Sequence, residues 1–186
     1  TDSQLPRAVQ RRRIDLIQAM NRRQLQRLKT DQQMEGVIQS FELAFRMQTE
    51  TPRLVNFAEE SKETLDLYGI GEKPTDTFGR QCLLARRFAE AGVRFVQVSL
   101  GGWDHHNKIA TGLPERCAVS DKPIAGLLSD LKTRGLLDDT LVLWGGEFGR
   151  TPHAQNGDGR EHNHHGFTMW MAGGGVKGGI THGSTD

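Results

Sequence analysis

The sequence predicts an α/β fold, a mostly parallel sheet with flanking helices, with a helical N-terminal half. Three observations predict it. Apolar residues recur at helical spacing through residues 4–91. Three short apolar, strand-like runs follow at 93–100, 140–144 and 167–172. A helical stretch at 115–134 separates the first two runs.

The elements come in order. Ile14, Ile17, Met20, Leu25 and Leu28 mark a first helix. Met34, Val37, Ile38, Phe41, Leu43, Ala44, Phe45 and Met47 mark a second, with Asp31 as its N-cap. Thr51-Pro52 is expected to open another short helix, because proline suits a first turn. After a loop from Gly69 to Thr77, Phe78, Cys82, Leu83, Ala85, Arg86 and Phe88 form an amphipathic helix ending near Gly92. Val93–Leu100 reads as a buried strand broken by Gly101-Gly102. The helix at 115–134 turns Val119, Ile124, Leu127, Leu128 and Leu131 inward and stops at Gly135. Thr140–Trp144 and Phe167–Ala172 are the remaining strands, with Trp144 packed in the interior. A polar loop from Gly145 to Gly166 joins them. The expected organisation is part of a single domain, helical over 1–91, with sheet and site over 92–186. The absence of an initiator Met and the stop after a Gly-rich run suggest an incomplete domain.

Composition narrows the function classes. Apolar residues make up 35% and charged residues 25% of the chain, which suits a folded protein with a modest core. No stretch is long and apolar enough to span a membrane. Arg7, Arg11, Arg12, Arg13, Arg22, Arg23, Arg27 and Lys29 crowd the N-terminal region, where the simplest reading is a solvated helix face. With a net charge of +1, nucleic acid is the least favoured partner. Cys82 and Cys117 fit no metal or redox spacing, and Cys82 reads as core.

The chemistry collects at the strand ends, where ligands bind in such sheets. All 7 histidines lie after residue 104. Trp103-Asp104-His105-His106 follows the first strand, Glu147 and Arg150 follow the second, and Arg160-Glu161-His162-Asn163-His164-His165 precedes the third. Carboxylates mixed with imidazoles suit a divalent metal. The candidate ligands are Asp104, His106, Glu147, Glu161 and His162. Zinc is the expected ion, with manganese, magnesium and calcium as alternatives. Glu147 has a second reading, as an ion-pair partner of Arg150 or Arg160. Those two arginines are the candidate oxyanion binders. His105 and His164 are candidates for acid–base work, while His153 and His182 read as surface histidines. Asn107 and Thr151 are polar supports, and Gly173-Gly174-Gly175 is a turn rather than a phosphate loop.

These motifs carry a resemblance. Gly102-Trp-Asp-His-His106, the run from Leu131 through Gly145-Gly146-Glu147-Phe148-Gly149-Arg150-Thr151-Pro152, Gly159-Arg-Glu-His-Asn163 and Phe167 to Gly179 resemble the "domain of unknown function 1501" family, as does Glu42–Met47. That family is abundant in planctomycetes and related bacteria, and it is similar to the alkaline phosphatase/sulfatase superfamily. The resemblance implies an alkaline-phosphatase-like sheet and an exported, periplasmic or extracellular protein. It also implies a chain truncated at both ends, with the superfamily nucleophile on a strand outside it, so no nucleophile is assigned. Where sulfatases carry a metal-binding Asp-His-Gly, this chain has Glu147-Phe148-Gly149; Glu147 can replace the Asp, but Phe148 cannot replace the His. The expected function is a metal-dependent hydrolase of phosphate or sulfate esters, acting on a small-molecule or polysaccharide ester. The alternative is a non-catalytic binding module that keeps the fold and a structural metal.

Overall fold

The structure, a computed structural model, describes residues 6–28 and 32–184. The chain divides into two compact units, Thr1–Asn56 and Phe57–Asp186.

The first unit is a helix pair, α1 (Arg7–Leu28) and α2 (Gln32–Leu54). The basic face of α1 is partly neutralised: Arg11 bridges Asp15 at 2.7 Å and Glu42 at 2.9 Å, and lies over the Phe45 ring. Arg12, Arg13, Arg22 and Arg23 are exposed, as a solvated face requires. Ile17, Met20, Val37 and Phe41 are also exposed. Pro52 opens no new helix; it lies inside the last turn of α2, where its missing N–H removes one intrahelical hydrogen bond close to the helix end. Asp31, the expected cap, lies outside the described residues.

The second unit holds α3 (Lys62–Leu67), α4 (Asp76–Glu90), α5 (Ile109–Thr133), β1 (Val142–Trp144), β2 (Gly149–Arg150), β3 (His162–Asn163) and β4 (Trp170–Ala172). Ser61 caps α3, its hydroxyl accepting from Thr64 N–H. Gly92 and Gly135 end α4 and α5 at φ 79° and 70°, a left-handed turn that closes Val93 N–H onto Phe88 O and Leu136 N–H onto Leu131 O. The core comprises Tyr68, Ile70, Phe78, Cys82 and Leu83, with Val119, Ile124 and Leu127 of α5 packed against it. Cys82 is free, and burial pushes its thiol up to about 12.

A buried polar network ties these helices together. Arg86 reaches Glu60 at 2.8 Å and Asp130 at 3.0 Å, and also pairs with Glu90. Arg134 holds the other Asp130 oxygen at 2.6 Å. Tyr68 donates to Asp130 Oδ2 at 3.0 Å, its hydroxyl kept protonated by burial and then by the Asp130 charge. Every buried charge in the network has a partner, as burial demands.

The mostly parallel sheet is not there. The described residues are mostly helical, with two small antiparallel pairs, β1–β4 and β2–β3. Val142, Leu143 and Trp144 face Ala172, Met171 and Trp170 in an antiparallel register. The reason is the connection. Parallel neighbours need a crossover, usually helical, and the segment between β1 and β4 contains no helix. The stretch 95–100 joins no ladder; Val98 and Leu100 pack on the helical core while Phe95 is 80% exposed. Trp144 is likewise not interior but half exposed, edge-on to Trp103 at 6.3 Å. No helix among the described residues is long and apolar enough to cross a membrane.

Candidate metal centre

The polar loop between β1 and β4 folds on itself as a hairpin. Gly149 pairs with Asn163 and Arg150 with His162. Beyond them, Thr151 N–H reaches Glu161 O at 3.0 Å, and Gln155 and Gly159 exchange two backbone hydrogen bonds at 2.9 and 2.7 Å. Asn156 and Gly157 make the turn at φ 51° and 89°, values that asparagine and glycine adopt at least cost. The hairpin sets Arg150 beside His162.

The loop after Gly102 is laced onto this hairpin. Arg160 N–H donates to His105 O at 2.9 Å, Asn156 Nδ2 to His106 O at 3.3 Å, and Lys108 N–H to the Asp158 carboxylate at 2.7 Å. The approach is so close that a Cβ on Gly159 would lie 1.9 Å from His106 O. Residues far apart in sequence therefore meet.

Asp104, His106 and His162 converge. Asp104 Oδ1 lies 3.1 Å from His106 Nε2 and 3.0 Å from His162 Nε2, and the two imidazole nitrogens are 3.1 Å apart. Two ligands bound about 2.1 Å from one ion sit roughly 3.0 Å apart at a right angle and roughly 3.4 Å apart at the tetrahedral angle. The triangle fits neighbouring vertices of one coordination shell, and two imidazoles with a carboxylate suit zinc, iron or manganese. The Asp104 carboxylate is anionic, as a metal ligand must be, and it already faces one fixed cation. Arg150 NH1 stands 2.6 Å from the same Asp104 oxygen, a close ion pair rather than an aligned hydrogen bond. His162, then Arg150, hold the Asp104 carboxyl down at about 2. The site is open, with the Asp104 side chain 60% exposed.

The remaining candidates fall around the triangle. Glu161 is not one of the three converging groups; its Oε1 is 3.7 Å from His106 Nδ1 and accepts from His162 N–H at 3.0 Å, and its Oε2 accepts from Gln155 Nε2 at 2.6 Å. The backbone donor of His162, above all, lowers the Glu161 carboxyl. Glu147 is exposed and is not brought to the three ligands. The His105 ring lies over Gly112 of α5, its Nε2 buried without a hydrogen-bond partner among the described residues. His164 is exposed and stacks on His165 at 3.9 Å. Arg160 turns back to Gly159 O at 2.8 Å instead of toward Asp104. A cleft of about 420 Å³ adjoins the centre, lined by Gly149, Arg150, Pro152, Asn163, Gly166, Phe167 and Thr168. Arg150 thus touches both the triangle and the cleft.

The sequence matches the model of a family described as "Protein of unknown function (DUF1501)" over residues 1–186. The chain belongs to the DUF1501 family. No curated protein and no solved structure matches it. Within this DUF1501 chain, two site residues escaped the sequence reading. Gln155 sits 2.7 Å from His106 Nδ1, and the Phe148 ring packs 4.3 Å from that of His162. Gln155 lies in the stretch Gly145–Gly166, which reads in the sequence only as a polar loop. By the family resemblance Phe148 stands where a sulfatase histidine would be, which gives no sign that its ring walls the site.

Proposed function

We propose that this chain carries the metal centre of a hydrolase for phosphate or sulfate esters, with Asp104, His106 and His162 as the ligands. The observation that supports it most is the convergence of three ligand atoms beside an arginine-bordered cleft. A divalent ion held there supplies Lewis acidity to an ester oxygen. Arg150 lies between ligands and cleft, where its guanidinium can hold a substrate oxyanion and stabilise charge that grows in the transition state. Phe167 and Pro152 give the cleft an apolar wall for the rest of a small-molecule or saccharide ester. His164, exposed after β3, is more open than the enclosed His105 to proton exchange with solvent. Glu147 and Arg160 have no part in this reading, and Glu161 acts from behind His106.

The test is hydrolysis of 4-nitrophenyl phosphate and 4-nitrophenyl sulfate by protein loaded with zinc, manganese, magnesium or calcium. Turnover that a chelator abolishes, and that Asp104→Ala and Arg150→Met both lose, is expected. A second reading, a binding module with a structural metal, draws on Phe148, whose ring closes one side of His162 with a group that neither binds metal nor moves protons. Metal-dependent binding of an intact ester without turnover would select it.

A further inference from the structure

A histidine can offer Nε2 to a metal only when its proton sits on Nδ1, and the partner of Nδ1 decides that. His106 Nδ1 lies 2.7 Å from Gln155 Oε1. A glutamine amide can face either way, but here the other end settles its direction. Gln155 Nε2 lies 2.6 Å from Glu161 Oε2, and an ionised carboxylate only accepts. The amide nitrogen therefore donates to Glu161, its oxygen faces His106, and His106 Nδ1 must carry the proton. Glu161 is itself fixed by His162 N–H on Oε1 and, through its own N–H, by Thr151 Oγ1. Gln155 is held at the backbone by its bridge to Gly159. In the metal-free triangle the His162 Nε2–H then lies within reach of Asp104 Oδ1 and of the His106 Nε2 lone pair, while the 3.1 Å approach of His106 Nε2 to Asp104 Oδ1 has no proton of its own and brings two acceptors together, as a shared cation would require.

We infer that Gln155 is a positioning residue for the metal centre: a Glu161–Gln155–His106 relay locks His106 with Nδ1 protonated and Nε2 turned to the ion. The inference rests on the metal reading above. It also explains why Glu161 stays out of the triangle, since its charge is spent on orienting the amide.

The test measures zinc affinity by chelator competition, and the visible spectrum of the cobalt-loaded protein, for the wild-type chain, Gln155→Met, and the double variant Gln155→Glu with Glu161→Gln. The methionine variant keeps the length of the side chain and removes the acceptor; its zinc affinity is expected to fall about 10- to 100-fold. The double variant reverses the two groups and preserves charge and hydrogen-bond polarity, because the new carboxylate accepts from both His106 Nδ1–H and the new amide. It is expected to recover wild-type affinity to within about threefold and the wild-type cobalt spectrum. A packing role for Gln155 predicts instead that the methionine variant, which keeps the bulk of the side chain, binds zinc as the wild type does. Nitrogen-15 spectra of the wild-type imidazoles give a readout independent of any variant: His106 should show a protonated Nδ1 and an unprotonated Nε2. Wild-type protein that binds zinc while Gln155→Met binds it equally, or a His106 proton found on Nε2, overturns the inference alone. A wild-type chain that binds neither zinc nor cobalt overturns the metal reading itself.

Discussion

Replacing Gly159 with alanine should disassemble the candidate site without touching a ligand. The added Cβ would lie 1.9 Å from His106 O, 2.1 Å from its carbonyl carbon and 2.6 Å from Asn107 N. All three atoms are backbone, so no side-chain rotation relieves the clash. The loop must retreat by about 1.1 Å merely to reach 3.0 Å, the shortest distance real Cβ atoms tolerate. That retreat acts on three hydrogen bonds: Arg160 N–H to His105 O, Asn156 Nδ2 to His106 O and Lys108 N–H to Asp158. At about 1 kcal/mol each, and more for the charged acceptor, the variant should lose roughly 2–4 kcal/mol of stability in urea unfolding. Zinc affinity should fall by at least about tenfold, because His106 moves away from His162. Chelator competition measures the second effect. A Gly159→Ala protein within about 0.5 kcal/mol of wild type that binds zinc normally would refute the docking of these loops.

Two further predictions concern charge. Arg86→Met leaves a hole in the buried network, since Arg86 is 3% exposed and faces Glu60, Glu90 and Asp130. Arg87 and Arg134 remain to hold Glu60 and Asp130, so the loss in urea unfolding should be near the low end for a broken buried pair, about 3 kcal/mol; a loss under about 1 kcal/mol would contradict the network. Asp104 should titrate at about 2 in the metal-free protein, measured by carboxyl carbon NMR. Its folded value lies below its unfolded one, so its contribution to stability is complete above about pH 4 and is lost as pH falls through about 2. His162→Ala should raise that midpoint most and Arg150→Met next; a wild-type midpoint in the usual carboxylate range would contradict the geometry.

What was legible in the sequence follows from what periodicity encodes. The core helix α4 and the stops at Gly92 and Gly135 were readable because spacing and left-handed glycines are local signals. The start of α5 was not: the apolar spacing marks a helix over 115–134, yet the helix begins at Ile109 and carries Pro114 and Pro123 inside it. Strand direction was not legible either. The runs around Leu143 and Met171 look the same whether paired parallel or antiparallel, and the missing crossover between them was the only clue. Asp104, His106 and His162 were found because two His-rich loops flank strand-like runs, though the fold that joins them is a hairpin. Glu147 was expected to converge with them because it follows a strand-like run, but that run pairs only along a short, exposed edge, and Glu147 is not among the three converging groups. Gln155 could not be found from spacing, since its role depends on a neighbour 49 residues away.

On the proposed function, Asp104, His106 and His162 together hold one divalent ion. The most direct measurement is elemental analysis of purified protein after incubation with zinc, manganese and calcium, beside Asp104→Ala and His162→Ala. Stoichiometric metal in the wild type, lost in both variants, is the predicted result. No metal in the wild type, or metal that both variants retain, would contradict it.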